Sequence, residues 1–177
     1  MRLLPLFLLM VASCSFADLE VTRSIDDWSW GKNGTYNFAV TTNDDGHLFG
    51  QYCFASSAEC FYRIHLSSDC ENGQVYDAKL LTSGQSTDIR IECYNPANST
   101  SSLLVKSFDK VNAKVRGSSL DIITLVINDP IKRSVQFNLL GSDIMLHEMR
   151  KFTLEQRKQA NGWDNLKLLD GKYVSAF

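Results

Sequence analysis

Short apolar segments separated by turn sequences make up most of the chain. Residues 36–42 and 47–54 flank the sequence Asn-Asp-Asp-Gly at positions 43–46, and residues 59–66 follow the polar loop at 55–58. Segments of this length, rich in aromatic and β-branched residues and bounded by Asn, Asp, Gly and Ser, are typical of β-strands joined by turns. The pattern therefore predicts an antiparallel sheet in this part of the chain.

The loop at 55–58 fixes a register for one hairpin. If this four-residue loop closes the hairpin, Phe54 pairs with Glu59, and Cys53 pairs with Cys60. Directly opposed residues of an antiparallel pair have Cα atoms about 4.5–5.5 Å apart, a distance that a disulfide can span. The same register predicts three further opposed pairs: Phe49 with Ile64, Tyr52 with Phe61, and Leu48 with His65.

Four cysteines lie between positions 53 and 93, and three pairings of them are possible. The hairpin register favours Cys53 with Cys60, which leaves Cys70 to pair with Cys93. The second bridge closes a loop whose length predicts a contribution of about 3 kcal/mol, because it restricts the unfolded chain. Two disulfides are typical of an exported domain of this size.

The segment at 107–116 fits two secondary structures. Its apolar residues fall at helical spacing, but those at 111–115 also alternate with polar residues as a strand would. We favour a short helix here. The apolar segments at 120–127 and 134–140 then predict two antiparallel strands joined by a turn at 128–130.

The hydrophobic period changes to that of a helix after residue 141. Position 142 or 143 can cap a helix that carries Met145 and Met149 along its apolar side. A possible capping box at 153–156 predicts a second short helical segment instead of one continuous helix. The end of the chain, residues 166–177, contains an Asp-Gly turn and predicts a closing hairpin. The expected fold is therefore α+β, an antiparallel sheet or sandwich with one main C-terminal helix and two disulfides.

The first 17 residues have the order of a signal peptide. Arg2 is followed by an almost wholly apolar stretch at 3–12 and then by small residues that end at Ala17. The apolar stretch is too short to span a bilayer, which takes about 20 residues. We therefore divide the chain into a signal peptide at 1–17 and a single β-rich domain at 18–177, with no transmembrane segment in the mature chain.

Two processing routes are compatible with this leader. The sequence Ser-Phe-Ala at 15–17 fits ordinary signal peptidase, and we favour release after Ala17. The sequence Val-Ala-Ser-Cys at 11–14 also resembles a bacterial lipobox, in which Cys14 would be lipidated and would anchor the protein to a membrane. We expect a periplasmic or secreted protein, and the sequence leaves a bacterial or a eukaryotic origin open.

Charge and composition exclude some classes of partner. The net charge is −2, and acidic and basic residues are interleaved without a basic run. Nucleic-acid binding needs a concentration of Lys and Arg that this chain does not have, so we expect no nucleic-acid partner. Hydrophobic residues make up 44% of the chain, which is the composition of a globular domain.

Aromatic residues near the mature N-terminus form one candidate binding patch: Trp28, Trp30, Tyr36 and Phe38. Aromatic side chains beside charged residues are common where proteins bind glycans or other proteins. The alternative, which we favour, is that they seal one end of the sheet as part of the core. The histidines, His47, His65 and His147, are scattered, and no metal or cofactor motif is present, so we expect no cofactor.

These observations favour an exported non-enzymatic binding or envelope accessory protein. Its expected partner is another envelope or extracellular protein, or a glycan. The alternative is a small secreted hydrolase whose Ser, His and Asp residues converge only in three dimensions, because catalytic triads are defined by geometry and not by sequence order.

The two processing routes predict different results in fatty-acid labelling. If release occurs after Ala17, the mature protein should incorporate no labelled palmitate, and Cys14→Ala should not change its size or location. Labelling that disappears in Cys14→Ala would show the lipidated route instead. Mass spectrometry of the mature N-terminus provides an independent measurement of the same cleavage site.

Overall fold

We analysed a computed structural model that describes residues 20–66, 70–95, 101–117, 122–128 and 132–160. The signal peptide with Cys14 and the predicted closing hairpin at 166–177 lie outside the described residues. The elements are ten strands and two helices, in the following order: β1 (Glu20–Ile25), β2 (Trp28–Lys32), β3 (Tyr36–Thr42), β4 (Leu48–Phe54), β5 (Cys60–His65), β6 (Val75–Thr82), β7 (Gln85–Tyr94), β8 (Ser102–Val105), α1 (Phe108–Gly117), β9 (Ile122–Ile127), β10 (Arg133–Asn138) and α2 (Ser142–Ala160).

All ten strands belong to one antiparallel sheet with the order β1-β2-β3-β4-β5-β8-β7-β6-β9-β10. The first five strands form a meander because each is joined to the next by a short turn. Strands β6 to β8 form a second meander that runs back towards the first, so that β8 pairs with β5. The chain then passes through α1 and places β9 beside β6.

The predicted hairpin register is confirmed. Strands β4 and β5 pair Cys53 with Cys60 and Tyr52 with Phe61, and the backbone N–H of Phe54 donates to the carbonyl of Glu59. Both predicted disulfides are present, with Cα–Cα distances of 4.0 Å for Cys53–Cys60 and 6.0 Å for Cys70–Cys93.

The sheet curls so that its two ends pack against each other. Phe137 of β10 contacts Phe49 of β4 with ring centroids 5.3 Å apart. The indole Nε1 of Trp28 in β2 donates to the backbone carbonyl of Asn138 at 2.8 Å. We call the side of the sheet that encloses this packing the core face, and the opposite side the outer face.

Both helices lie on the core face. Helix α1 places Phe108 against Tyr62 of β5, with ring centroids 5.4 Å apart, which confirms the helical interpretation of this segment. Helix α2 contacts β1 to β4, and Phe152 packs against Trp30 with ring centroids 5.3 Å apart. Neither of these described helices is both long and apolar enough to cross a membrane.

The predicted break in the C-terminal helix is wrong. Helix α2 continues without interruption from Ser142 to Ala160, and Thr153 is buried in its middle. The Thr153 hydroxyl donates to the carbonyl of Met149, four residues earlier, at 2.8 Å, and it accepts from Asn37 of β3 at 3.0 Å. A threonine followed three residues later by glutamine can begin a helix, but here the tertiary contact with the sheet uses the hydroxyl instead.

Removing the bridge between β4 and β5 should lower stability by about 2.5 kcal/mol, the value expected for a short closed loop. Cys53→Ala/Cys60→Ala should show this decrease in the free energy of unfolding by urea denaturation. In a Cys70→Ala/Cys93→Ala background, a reductant should lower the free energy of unfolding by a similar amount. An unchanged midpoint in both experiments would contradict the assigned bridge.

Candidate binding surface

Strand alternation gives β3, β4 and β5 two chemically different faces. Successive side chains point to opposite sides of a strand, so the residues next to the core-facing Gln51 and Tyr62 point outwards. Four half-buried Tyr and Phe side chains share this outer face. We call them the outer aromatic surface: Tyr36, Tyr52, Phe54 and Phe61.

The four rings form one continuous cluster. Tyr36 lies 4.8 Å from Phe54 and 5.7 Å from Phe61, measured between ring centroids. Tyr52 and Phe61 are a directly opposed cross-strand pair with nearly parallel rings 5.8 Å apart. Such cross-strand aromatic pairs stabilise a sheet and fix the orientation of the rings.

Phe38 lies beneath this cluster and is only 2% exposed. Its ring contacts Tyr52, with centroids 6.1 Å apart, and it extends across Gly31 of the neighbouring strand. A Cβ atom at Gly31 would lie 2.9 Å from the ring carbon Cζ of Phe38. Because Gly31 has no side chain, the phenyl ring of Phe38 can occupy the space above it.

A single cation borders the rings on the outer face of β5. The guanidinium carbon of Arg63 lies 5.9 Å from the ring centroid of Tyr52, a cation–π distance. Burial raises the pKa of Tyr52, and the positive charge of Arg63 partly opposes this shift. Tyr52 therefore stays a neutral hydrogen-bond donor and acceptor at physiological pH.

The outer face carries charged residues instead of aromatic ones where it continues onto β6 and β7. There, Asp77 lies opposite Arg90, and Lys79 lies opposite Asp88 with Nζ and Oδ1 4.0 Å apart. Alternating charges of this kind are typical of a sheet face that is solvated. The aromatic and charged halves of one sheet face are thus separated by β8.

A buried polar network on the core face supports the outer aromatic surface. Arg150 of α2 is 6% exposed, and its Nε donates to Oε1 of Gln51 at 2.5 Å. Its Nη2 donates to Oδ1 of Asn112 in α1 at 2.5 Å, and the phenol of Tyr62 donates to the same oxygen at 3.2 Å. Because Gln51 and Tyr62 are the sequence neighbours of Tyr52 and Phe61, this network fixes the backbone that carries the outer rings.

Burial also controls the ionisation of the network. The pKa of Tyr62 is raised far above that of a free phenol because the side chain is buried, although the charges of Arg150 and Arg116 oppose this. The phenol therefore remains protonated and can donate to Asn112.

The aromatic residues predicted as one binding patch are divided between the two faces. Trp28 and Trp30 are buried on the core face, where Trp30 donates to Oε2 of Glu148 at 3.1 Å. Phe38 and Tyr36 lie on the outer face, and Phe38 is buried there. Only Tyr36 of these four is both on the outer face and partly accessible, so the four residues do not form one exposed patch.

The remaining members of the outer aromatic surface come from the hairpin of β4 and β5. The sequence register already places Tyr52 opposite Phe61 on the face away from the cysteines. The register therefore predicts that these two rings share a face. It does not predict which of the two faces the helices cover.

His65, one of the three histidines of the chain, is also on the outer face of β5. Its pKa is lowered because the ring is partly buried and because Arg63 is close, whereas a hydrogen bond with the backbone of Ser101 acts in the opposite direction. Within the described ranges, no serine hydroxyl or carboxylate is hydrogen-bonded to His65, and no group of three metal-ligating side chains occurs.

The apolar core contains a small cavity, lined by residues such as Phe49 and Phe137. Its volume of about 10 Å³ leaves room for no more than a single water molecule.

Comparisons with protein-family models, with curated proteins and with solved structures gave no match to this chain.

Arg150→Ala should lower the free energy of unfolding by about 3 kcal/mol, because it leaves the buried Oε1 of Gln51 without this donor and removes one of the two donors to the part-buried Oδ1 of Asn112. Lys151→Ala is the matched control, since it removes the neighbouring exposed cation of the same helix, and it should change stability by less than about 0.5 kcal/mol. Urea denaturation of both variants checks this difference. Equal effects would mean that the network does not hold α2 on the sheet.

Proposed function

We propose that this protein is an exported, non-enzymatic binding protein of the periplasm or the extracellular space. Its partner is another envelope or extracellular protein, or a glycan. The observation that carries the proposal is the outer aromatic surface, a cluster of half-buried rings on the sheet face opposite both described helices.

The construction of the sheet supports a binding role. A disulfide joins the two strands that carry Tyr52 and Phe61, and the Arg150 network fixes the same strands from the core side. Rigid support of this kind reduces the conformational entropy that a surface loses when it binds a partner. Partly exposed Tyr and Phe side chains on a rigid sheet supply contact area at a low entropic cost.

Export is supported by the two disulfides and by the leader sequence. Disulfides persist in oxidising compartments and are rare in the cytosol. A mature protein released after Ala17 would be soluble in the periplasm or outside the cell, and lipidation at Cys14 would instead tether it to a membrane.

The binding proposal predicts a partner that depends on the outer aromatic surface. Mature wild-type protein, immobilised under non-reducing conditions, should retain one stoichiometric partner from the native compartment, and Tyr52→Ala/Phe61→Ala should lose it. Tyr94→Ala is the matched control, because Tyr94 is 45% exposed on the outer face of β7, away from the ring cluster. This control should retain the partner, because interfaces depend on a few clustered aromatic residues.

A serine-hydrolase probe tests the alternative in the same preparation. The binding proposal predicts that a fluorophosphonate labels no serine of the mature protein. Labelling that disappears in His65→Gln would contradict it and would favour the secreted hydrolase with a Ser, His and Asp site.

A further inference from the structure

The outer face of β3 to β5 has the composition of a protein–protein interface. Its residues are aromatic, aliphatic or small, with one arginine, one histidine and no Asp, Glu or Lys within the three strands. The central parts of protein interfaces are enriched in Tyr, Phe and Arg and depleted in Lys, Glu and Asp. The charged half of the same face, on β6 and β7, has the opposite composition.

Arg63 introduces one positive charge into this apolar surface. No carboxylate of the described residues lies within 4.0 Å of its guanidinium, and its buried Nε has no hydrogen-bond acceptor among them. The acidic residue closest in sequence, Glu59, is four positions away, about 13 Å along an extended strand. Glu59 instead accepts a hydrogen bond from the hydroxyl of Ser57 at 3.3 Å.

Two lysines near this face do have carboxylate partners. Lys106, at the end of β8, lies 2.9 Å from Oε2 of Glu92, and Lys79 lies 4.0 Å from Oδ1 of Asp88. Arg63 differs from these lysines and from the exposed Arg90, which lies directly opposite Asp77, because its buried Nε is unpaired and no acidic residue lies on the outer face of β3 to β5. A desolvated cation at an interface is stabilised when the partner supplies the opposite charge.

We propose that the outer aromatic surface binds a partner protein that presents an acidic side chain to Arg63 and apolar side chains to the surrounding rings. This inference rests on the proposed binding function and specifies the chemistry of the partner. The rings of Tyr36, Tyr52 and Phe61 supply the apolar contact area, and the carboxylate of the partner provides the acceptor for the Arg63 guanidinium.

The packing of the rings favours a protein over a glycan. A sugar stacks on a free ring face, but Tyr36 meets Tyr52 and Phe61 at interplanar angles of 90° and 82°, so these rings pack edge against face. The guanidinium of Arg63 lies over the Tyr52 ring. Neighbouring rings and the guanidinium therefore already contact ring faces in this cluster, which is less suited to a stacking sugar than to apolar side chains and a carboxylate.

Selection from a random 12-residue peptide display library on the immobilised mature protein tests this inference. Peptides enriched on the wild-type protein should contain Asp or Glu close to an aromatic or aliphatic residue. Their dissociation constants should increase at least about tenfold for Arg63→Gln, because the variant removes the charge that they pair with. Arg63→Glu should reverse the selection and enrich peptides that contain Lys or Arg.

Arg90→Glu is the matched control, because Arg90 is an exposed arginine on the same face, in β7, opposite Asp77. It should select the same acidic peptides as the wild-type protein. Circular dichroism and the urea midpoint should show that both Arg63 variants remain folded, since the side chain is partly exposed and forms no ion pair with the described residues.

Three results would overturn the inference. The first is enrichment that does not favour acidic residues, or a failure of any peptide to bind. The second is binding of a defined oligosaccharide, such as a peptidoglycan fragment, that Tyr52→Ala abolishes; this would assign the surface to a glycan and leave the proposed binding function intact. The third is a dimer of the mature protein, detected by analytical ultracentrifugation, that Tyr52→Ala dissociates, which would assign the surface to a second copy of this chain.

Discussion

The register between β4 and β5 is the constraint on which the rest of this structure depends. It pairs Cys53 with Cys60 on the core face and Tyr52 with Phe61 on the outer face. Because side chains alternate along a strand, a slip of one residue would exchange the two faces. Gln51 and Tyr62 would then leave the buried network, and the aromatic rings would enter the core. The disulfide and the four-residue loop together prevent this slip.

The two faces of this hairpin differ in what packs against them. On the core face, Arg150 connects β4, α1 and α2 through neutral oxygens, and Asn37 connects β3 to Thr153 and Gln156 of α2. These hydrogen bonds hold α2 against β3 and β4, whose core-facing residues include few aliphatic side chains. Both described helices pack on the core face, so no described helix covers the outer face, and the four rings of the outer aromatic surface are half-buried there.

The β1 edge of the sheet is poorly suited to the addition of another strand. Strand β1 is an exposed edge, but the pairing with β2 shifts register between Val21 and Arg23, and Arg23 forms an ion pair with Glu148. A bulge and a paired charge both hinder the addition of another strand. The proposed recognition therefore uses the side chains of a sheet face and not the backbone of the β1 edge.

Local features of the sequence determined the hairpin, both disulfides and the α+β class, because loop length and alternation act over a few residues. They only favoured a helix at α1, where the pattern also fitted a strand, and the packing of Phe108 on Tyr62 accompanies the helix. Tertiary contacts decided the rest. Thr153 could begin a helix by its local sequence, yet its contact with Asn37 keeps α2 continuous. Trp28 and Phe38 are both aromatic and close in sequence, but only the curl of the sheet and the position of α2 decide which face each one occupies and which aromatic residues remain accessible.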